Sequence, residues 1–189
     1  MSAQDSKLFV ISGPSGAGKG TLVTRVRERR SNLGLTVSAT TRAPRKGEAD
    51  GVNYFFLTRE EFDRRVANGE FVEWAEVHGN CYGTLVSEVQ SKLASGSSLI
   101  LEIDVQGALQ VKERFPEAVL IFIKPPSLEV LRERLVGRGT ETPETIELRM
   151  ANAAHELALA DRYDDVVVND DLDRATDELV RVLDMHERI

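Results

Sequence analysis

The hydrophobic positions along the chain follow two different spacings, and together they predict strands that alternate with helices. Short, continuous apolar runs are typical of buried strands, and they occur at residues 8–11, 98–105, 118–123 and 166–168. Apolar residues spaced three or four apart predict helices, at residues 21–30, 85–93, 108–115, 128–135, 145–162 and 173–188. This alternation favours an α/β architecture, with a parallel sheet flanked by helices.

Residues 40–84 depart from this rhythm, because their predicted strands are joined by short turns or irregular loops. Strands are expected in and beside this region at residues 35–39, 52–57 and 71–77, and a turn is expected at residues 79–84. We therefore expect a small, mostly antiparallel insertion set into the main α/β core.

A capping box predicts a helix inside this insertion. Thr58 followed by Glu61 is the signature of a helix start, and Gly69 is expected to end that helix. In the strand that follows, Glu73 and Glu76 interrupt the apolar residues, and we expect both carboxylates on one face.

The length of 189 residues suits one domain with mobile insertions. The core is expected at residues 1–36, 85–126 and 158–189, the insertion at 37–84, and a helical lid at 127–157. An exposed loop at residues 137–144 belongs to that lid.

Composition narrows the classes of function. A net charge of −7 argues against general binding to nucleic acids or anionic membranes. Cys81 is the only cysteine, which excludes an internal disulfide framework and is consistent with a reducing compartment. The chain does not begin with a basic region followed by a long apolar segment, and no apolar run approaches the roughly 18 residues of a membrane span. The sequence therefore predicts a soluble cytoplasmic protein.

The most informative stretch joins the first predicted strand to the first predicted helix. It follows the pattern G-x-x-x-x-G-K from Gly13 to Lys19. Such a loop points successive backbone N–H groups and the positive end of a helix at one spot, which suits phosphate, and Lys19 adds a mobile positive charge. The pattern expects Ser or Thr next, but this chain has Gly20, so a magnesium ion would rely on phosphates, water and Thr21.

Three carboxylates are candidates to meet a nucleotide. In a parallel sheet the carboxyl ends of the strands face the ligand crevice, so Glu102 or Asp104 is expected near the phosphate loop. A carboxylate such as Glu73, if fixed in a pocket, could accept two donors from the edge of guanine, whereas adenine would leave it poorly paired. The alternative is that Glu73 is an exposed strand residue beside Trp74.

A second anion site is predicted in the polar loop before residue 55. Arg42 and Arg45 are three residues apart, so their guanidinium groups could converge on one phosphate, and Tyr54 could add a hydroxyl. This arrangement would make a pocket for a monophosphate. The alternative is an ordinary solvated, charged loop.

Several segments of the chain together resemble guanylate kinases. They are the loop GPSGAGKGT, the segments SATTRAPRKGEADGVNY and EWAEVHGNCYGT, the strand LEIDVQG, the lid GRGTET and the tail VVNDDLD. The likeness covers about residue 7 to the end, and the segments occur in the order of the family. The resemblance implies a P-loop fold and the Mg²⁺-dependent transfer of a phosphoryl group from ATP to GMP, giving ADP and GDP.

The resemblance also implies roles for individual residues. The positions that match the GMP site are Ser38, Arg42, Arg45, Glu48, Tyr54, Glu73, Tyr82, Gly83, Thr84 and Asp104. The positions that match the ATP site are Gly13, Pro14, Ser15, Gly16, Ala17, Gly18, Lys19, Gly20, Thr21, Arg134, Arg138, Asn169 and Asp170. The expected catalytic positions are Lys19, Arg42, Arg134, Arg138 and Arg149. The candidates for the metal, through water, are Thr21, Glu102 and Asp104. Within this set, Glu48 is expected to orient an arginine rather than to touch the base.

Two other functions compete with this hypothesis. One is a kinase for a different nucleoside monophosphate, and the other is a non-catalytic guanylate-kinase-like module that binds a protein. The first is disfavoured by Glu73, and the second by the intact phosphate loop and lid arginines, of which Arg134 and Arg138 share a helix face. The expected partners are ATP and GMP, together with dGMP, and neither nucleic acid nor membrane.

Overall fold

The structure is a computed structural model that describes residues 6–77, 79–137, 139 and 142–187. Its strands are β1 (Leu8–Ser12), β2 (Gly34–Leu35), β3 (Ala39–Thr40), β4 (Phe55–Phe56), β5 (Phe71–Val77), β6 (Asn80–Leu85), β7 (Leu99–Glu102), β8 (Val119–Lys124) and β9 (Asp165–Val168). Its helices are α1 (Lys19–Arg29), α2 (Arg59–Ala67), α3 (Val86–Ala94), α4 (Val105–Arg114), α5 (Leu128–Gly137), α6 (Pro143–Leu157) and α7 (Leu172–Glu187). A 3₁₀ turn, Ala160–Arg162, follows α6.

The main sheet is parallel and has helices on both faces, as the alternation of strands and helices predicts. Its strand order is β2-β7-β1-β8-β9. Alternate residues of β1 point to opposite faces, so Phe9 packs in the core covered by α1 and α7, whereas Val10 packs in the core covered by α3 and α4. The predicted α/β class is therefore confirmed.

The second sheet has the strand order β4-β3-β6-β5. Two of its pairings, β3 with β6 and β5 with β6, are antiparallel, and β3 with β4 is parallel. Helix α2 covers one face, where Phe62 is fully buried and stacks on Phe71 with a centroid distance of 4.3 Å. Thr58 Oγ1 accepts a hydrogen bond from Glu61 N, which caps α2 as predicted.

The expected strand at residues 35–39 is wrong, because this segment crosses from one sheet to the other. Leu35 belongs to β2 of the main sheet, and Ala39 belongs to β3 of the second sheet. The crossing is held by α3: Val37 N donates to Glu88 Oε1 over 3.0 Å, and Lys92 Nζ donates to Leu35 O over 2.7 Å. Apolar pattern alone does not indicate that a chain changes partners.

The expected strand at residues 52–57 shortens to β4, because side chains of the preceding loop bind backbone N–H groups before and within it. Asn53 Oδ1 accepts from Ala49 N, and Asp50 Oδ1 accepts from Phe56 N. Asn and Asp favour turns through such local bonds, and here they leave Val52 70% exposed.

The expected turn at residues 79–84 is wrong too, since strand β6 begins at Asn80 and only Gly79 precedes it after β5 among the described residues.

The predicted strand at residues 98–105 is shorter than expected and ends before Asp104. Asp104 lies outside β7 and caps α4, where its Oδ1 accepts a hydrogen bond from Gly107 N at 2.7 Å.

A bulge in β5 sets the direction of Glu73. Phe71 lies opposite Leu85 and Glu73 lies opposite Thr84, so β5 has one additional residue, Val72, at this point. Residues opposite each other share a face, whereas strict alternation would put Glu73 on the same face as Phe71. The bulge therefore turns the Glu73 side chain away from the core beneath α2.

The expectation that Glu73 and Glu76 share one face is wrong, because β5 alternates regularly beyond the bulge. Positions three apart in a strand point to opposite faces. Glu73 contacts Thr84, and Glu76 instead forms an ion pair of 3.1 Å with Arg59 at the start of α2.

Helices α5 and α6 form a small unit with its own apolar contacts. Leu131, Leu135, Ile146 and Met150 pack together between them. Part of the predicted loop at residues 137–144 lies outside the described residues. Within the described residues no helix is long and apolar enough to span a membrane.

The approach of β5 to β6 predicts a sharp cost for any side chain at Gly83. A Cβ there would lie 2.7 Å from Glu73 O and 2.8 Å from Trp74 Cβ. We expect Gly83→Ala to destabilise the protein by about 1–3 kcal/mol, measured by thermal unfolding, because the two strands must separate. Gly137→Ala is the matched control, since a Cβ at Gly137 meets nothing within 4 Å. Equal melting temperatures for the two variants would contradict this interpretation.

Candidate active site

The loop between β1 and α1 has a backbone that requires glycine. Gly13 and Gly18 have φ values of 141° and 90°, a region that other residues rarely adopt. A Cβ at Gly13 would lie 2.2 Å from Ile123 O of β8, and one at Gly18 would lie 2.4 Å from Asn169 Nδ2. The loop is therefore enclosed between the ends of neighbouring strands and opens toward the N-terminus of α1, where an anion is stabilised by the helix.

The side chains around the loop hold its shape. Lys19 Nζ donates to Gly13 O at 2.6 Å and to Pro14 O at 3.1 Å, so the lysine lies across the loop. Asn169 follows the last residue of β9, and its Nδ2 donates to Ala17 O at 2.8 Å. The predicted phosphate loop therefore has a cation and a defined backbone in one place.

Arginines of α5 and α6 lie beside this loop, and the one from α6 contacts it directly. Arg149 Nη1 of α6 donates to Ser15 Oγ at 2.9 Å, and Arg134 Nη2 of α5 donates to Asn169 O at 2.8 Å. These contacts bring two guanidinium groups to the phosphate side of the molecule. Arg138, a third predicted arginine, lies outside the described residues.

An open cavity of about 470 Å³ adjoins the loop. Its lining includes Gly16, Gly18, Thr21, Arg134, Asn169 and Asp170, all of them predicted ATP-site residues. The Asp170 carboxylate accepts from Asp171 N and pairs with Arg174, and these contacts hold its pKa below the usual range. Residues distant in sequence thus form a continuous wall from the phosphate loop to α7.

The predicted metal candidates are distributed around Gly20. A Cβ at Gly20 would lie 3.6 Å from Glu102 Oε1, so Glu102 faces this position, whereas Thr21 lines the cavity beside α7. Partial burial raises the pKa of Glu102, and the positive charge of Lys19 opposes that shift. The part of the chain that the structure describes contains no group of three or more His, Cys, Asp or Glu residues that could hold a metal.

The second sheet pairs two of the predicted residues across neighbouring strands. Glu73 lies opposite Thr84, and Thr84 Oγ1 donates to Glu73 Oε1 at 2.8 Å. Ala39 lies opposite Gly83, and Ser38 directly precedes Ala39 in the chain. Residues opposite one another share a face, so Glu73 and Thr84 present a carboxylate and a hydroxyl together.

Glu73 is half-buried, and its environment raises its pKa. Burial is the largest cause of its raised pKa, and the Asp104 charge adds to the shift. The hydrogen bond from Thr84 opposes it. A carboxylate in this state gains free energy from any further donor that reaches it.

A second group of residues lies around Arg42. Arg42 Nη2 donates to both carboxylate oxygens of Glu48, at 2.9 and 3.0 Å, and the guanidinium carbon lies 5.4 Å from the centre of the Tyr54 ring. Tyr54 and Tyr82 meet edge to face with a centroid distance of 6.1 Å. Arg45 N donates to Glu48 Oε2 at 2.7 Å, while the Arg45 residue is exposed.

Glu48 fixes the orientation of this group. Arg42 is the largest cause of the lowered pKa of Glu48, followed by the Arg45 backbone. Glu48 is likewise the largest cause of the raised pKa of Arg42. The contact that would let Glu48 orient an arginine is therefore present.

The two regions meet at the N-terminus of α4. A Cβ at Gly107 would lie 3.4 Å from Asp104 Oδ1 and 3.7 Å from Glu73 Oε2. Two carboxylates from different parts of the chain therefore lie beside Gly107. Gly107 ends the segment LEIDVQG, but the sequence assigned it no role, because its proximity to Glu73 is a contact across the fold.

Glu156, at the end of α6, is a second residue that the sequence did not indicate. Burial raises its pKa, and its charge interacts with those of Lys19 and Asp104. A glutamate near the end of a helix usually reads as solvated, so its place beside the phosphate loop required the structure.

These features define a class of protein: an α/β nucleotide-binding protein with a phosphate loop and a second, facing polar site. A sequence profile described as guanylate kinase matches residues 5–186. Guanylate kinases from Halalkalibacterium halodurans and Gloeobacter violaceus are similar over nearly the whole chain. The first is 51% identical, and the match covers 97% of this chain and 90% of the relative. The second is 56% identical, and the match covers 94% of this chain and 87% of the relative.

A solved structure of guanylate kinase from Anaplasma phagocytophilum is similar too. It has a TM-score of 0.72 at 36% identity and covers 97% of this chain and 87% of its own. The chain belongs to the guanylate kinase family.

The pKa of Glu73 can be tested directly. We expect the Glu73 carboxyl to titrate above the usual range of a glutamate, and Thr84→Val to raise its pKa further, because valine removes a donor while keeping the shape. Carbon-13 NMR of labelled glutamate would follow the titration. Thr176→Val, which changes a buried threonine in α7, is the control and should leave Glu73 unchanged. A lower pKa in Thr84→Val would refute the assigned cause.

Proposed function

We propose that this protein transfers the γ-phosphoryl group of ATP to GMP and releases ADP and GDP. The observation that carries the proposal is the position of Glu73, half-buried beside Thr84 and close to Asp104 at the start of α4. Its place between the second sheet and the core suits an acceptor base that faces the phosphate loop. The activity of the similar proteins, which are named guanylate kinases, supports the same function.

The pair formed by Glu73 and Thr84 in the second sheet would recognise guanine. The guanine edge has two adjacent N–H donors, and the Glu73 carboxylate can accept both while Thr84 holds one of its oxygens. Thr84 adds a hydroxyl on the same face, and Ser38 would add a second hydroxyl to the site. Adenine lacks this donor pair and would leave a half-buried carboxylate with no donor beyond Thr84, which is costly.

The phosphate of GMP would bind at the Arg42 group. Arg42, Arg45, Tyr54 and Tyr82 supply the donors, and Glu48 holds Arg42 in place until the phosphate arrives. Gly83 lies between Tyr82 and Thr84 on β6, where its small size allows β5 to approach. Asp104 completes the site from the core.

ATP would bind at the phosphate loop and the adjoining cavity. Residues 13–21 would surround its phosphates through their backbone N–H groups, and Asn169 and Asp170 would lie beside its base. The two nucleotides would then approach each other with their phosphates between the loop and Arg42.

Phosphoryl transfer needs little covalent chemistry from the protein. A phosphate oxygen of GMP attacks the γ-phosphorus, the bond from that phosphorus to the β–γ bridging oxygen breaks, and ADP leaves with the electron pair. The attacking oxygen is already anionic, so no general base is required. Lys19 and the arginines 42, 134, 138 and 149 would orient the phosphates and stabilise the charge on the moving group.

Magnesium would be the cofactor, bound together with ATP, and it would neutralise phosphate charge. Mg²⁺ prefers oxygen ligands and commonly uses one or two carboxylates together with phosphates and water. Glu102 and Asp104 offer such oxygens near Gly20 and the start of α4, and Thr21 offers a hydroxyl one residue further on. The residues present therefore fit the ion, with most of its ligands supplied by water and phosphate.

Water must be excluded during transfer, because it would compete with GMP for the phosphoryl group. We propose that residues 37–84 and the lid at 127–157 close over the core at residues 1–36, 85–126 and 158–189. dGMP would be accepted as well, and the reaction would take place in the cytoplasm.

A panel of GMP, AMP, CMP and UMP with ATP and magnesium tests this function. Of the four monophosphates, we expect only GMP to be turned over. We expect Glu73→Gln to raise the KM for GMP by at least tenfold with a smaller change in kcat, because the amide cannot accept both guanine donors. Equal turnover of AMP would contradict the proposed specificity. Tight GMP binding without any turnover would favour a non-catalytic module.

Gly20→Ser tests how the ion is held. Gly20 has room for a Cβ at ordinary contact distance from Glu102, so we expect the variant to fold and its activity to shift to a different magnesium concentration, since a new hydroxyl can serve as a ligand. Gly20→Ala is the control, because it fills the same space without a hydroxyl. A magnesium titration of Gly20→Ser that matches both Gly20→Ala and the wild type would contradict the account.

A further inference from the structure

The segment that joins α2 to β5 is anchored to the core at three consecutive carbonyl groups. Arg114 Nη1 donates to Gly69 O at 2.9 Å and also to Phe71 O. Between these two, Glu70 O accepts from Val86 N at 2.9 Å. Arg114 ends α4 and Val86 begins α3, so two helices that cover the main sheet hold one short piece of the second region.

This anchored segment leads directly into the bulge that directs Glu73. Phe71 is the last residue before the register shift, and Val72 is the additional residue. Val72 is buried in the core beneath α3 and α4, whereas Phe71 is buried beneath α2. A bulge bends its strand and redirects a side chain, so any contact that fixes its first carbonyl also fixes the direction of Glu73.

Helix α4 contacts β5 at both of its ends. Gly107 lies near its start, beside the Glu73 carboxylate, and Arg114 lies seven residues later, two helical turns along the same face. Gln110 lies between them and lines a cavity of about 240 Å³ with Glu73 and Arg114. The helix face therefore runs alongside β5 from the bulge to the carboxylate.

The chemistry of arginine suits this task. Its guanidinium is planar and charged, and it can hold two carbonyl oxygens with a fixed relative orientation. Lysine on the same helix behaves differently: Lys112 Nζ donates to Ala118 O at 2.6 Å and pairs with Asp164 at 3.0 Å, both within the main sheet and its loops. The two residues thus anchor α4 to different parts of the molecule.

We propose that Arg114 is a positioning residue for guanine: it fixes the β5 bulge and so directs Glu73 toward the base. The proposal rests on the proposed function, in which Glu73 accepts the guanine donors. Arg114 touches neither nucleotide and acts through the backbone of Gly69 and Phe71. Arg114 therefore contributes to the binding of GMP and not of ATP, because the phosphate loop is held by separate contacts from Asn169 and Arg149.

Steady-state kinetics of Arg114→Ala tests this role. We expect the KM for GMP to rise about three- to tenfold, the KM for ATP to stay within twofold, and kcat to change less than the GMP KM. Lys112→Ala is the matched control, since it removes a cation and a carbonyl contact from the same helix, and both KM values should stay within twofold. An equal rise in both KM values, or an unchanged GMP KM, overturns the proposal.

A double-mutant cycle shows whether Arg114 acts through Glu73. In the Glu73→Gln background, Arg114→Ala should raise the GMP KM less than twofold, because the carboxylate it would direct is gone. Independent, multiplicative effects would overturn the proposal. Arg114→Lys, which keeps the charge but holds the carbonyls with a single ammonium, should give an intermediate KM and remains informative if the alanine variant does not fold.

The same experiments separate this inference from the function on which it rests. A wild-type protein that does not phosphorylate GMP refutes the proposed function. A wild-type protein that does so, with the expected effect of Glu73→Gln but no effect of Arg114→Ala, refutes the positioning role alone.

Discussion

Helix α4 packs against two sheets at once, and this shared packing constrains the rest of the site. One face contributes Val105, Ala108 and Val111 to the core of the main sheet. Another face follows β5, with Gly107 close to Glu73. A Cβ at Gly107 would lie at contact distance from Asp104 Oδ1 and Glu73 Oε2, so the start of α4 lies directly against both carboxylates. The carboxylates of Glu73 and Asp104 come close together because of this packing.

The phosphate loop depends on a different kind of constraint, namely backbone conformation. Gly13 and Gly18 adopt positive φ values. Ile123 O of β8 lies close to Gly13, and Nδ2 of Asn169, the residue after β9, lies close to Gly18. Asn169 also donates to Ala17 O and accepts from Arg134 through its own carbonyl. Asn169, which follows β9, thus links helix α5 to the loop between β1 and α1. A displacement of α5 would therefore be transmitted through Asn169 to this loop.

The sequence predicted the elements whose information is local. Continuous apolar runs identified β1, β7, β8 and β9, and the glycine spacing identified the phosphate loop, because strand burial and positive φ leave direct traces in residue type. The segment at 35–39 was misjudged because its two ends join different sheets, and residues 79–84 because a polar, glycine-containing strand has no apolar alternation. These errors share a cause: tertiary pairing decides the outcome where local preference is weak.

The candidate site shows the same division. Resemblance and residue chemistry named Glu73, Arg42 and the loop lysine, since charged groups in a motif can be read from the chain. Gly107 and Arg114 could not be named, because a glycine in a helix and an arginine in its last turn have common, local explanations. The role of each depends on what lies across the fold, which requires coordinates.

The raised pKa of Glu73 explains how such an arrangement could produce specificity. Burial removes water from the carboxylate before any ligand arrives, and Thr84 replaces only part of the lost hydrogen bonding. A base with two suitable donors would restore the rest, whereas a base without them would exclude water from the carboxylate and leave it with Thr84 alone. The discrimination then comes from a penalty on the wrong base as much as from attraction to the right one. Such a penalty works only if Glu73 cannot turn away, and the bulge at Val72 with the two carbonyls held by Arg114 is what limits that freedom.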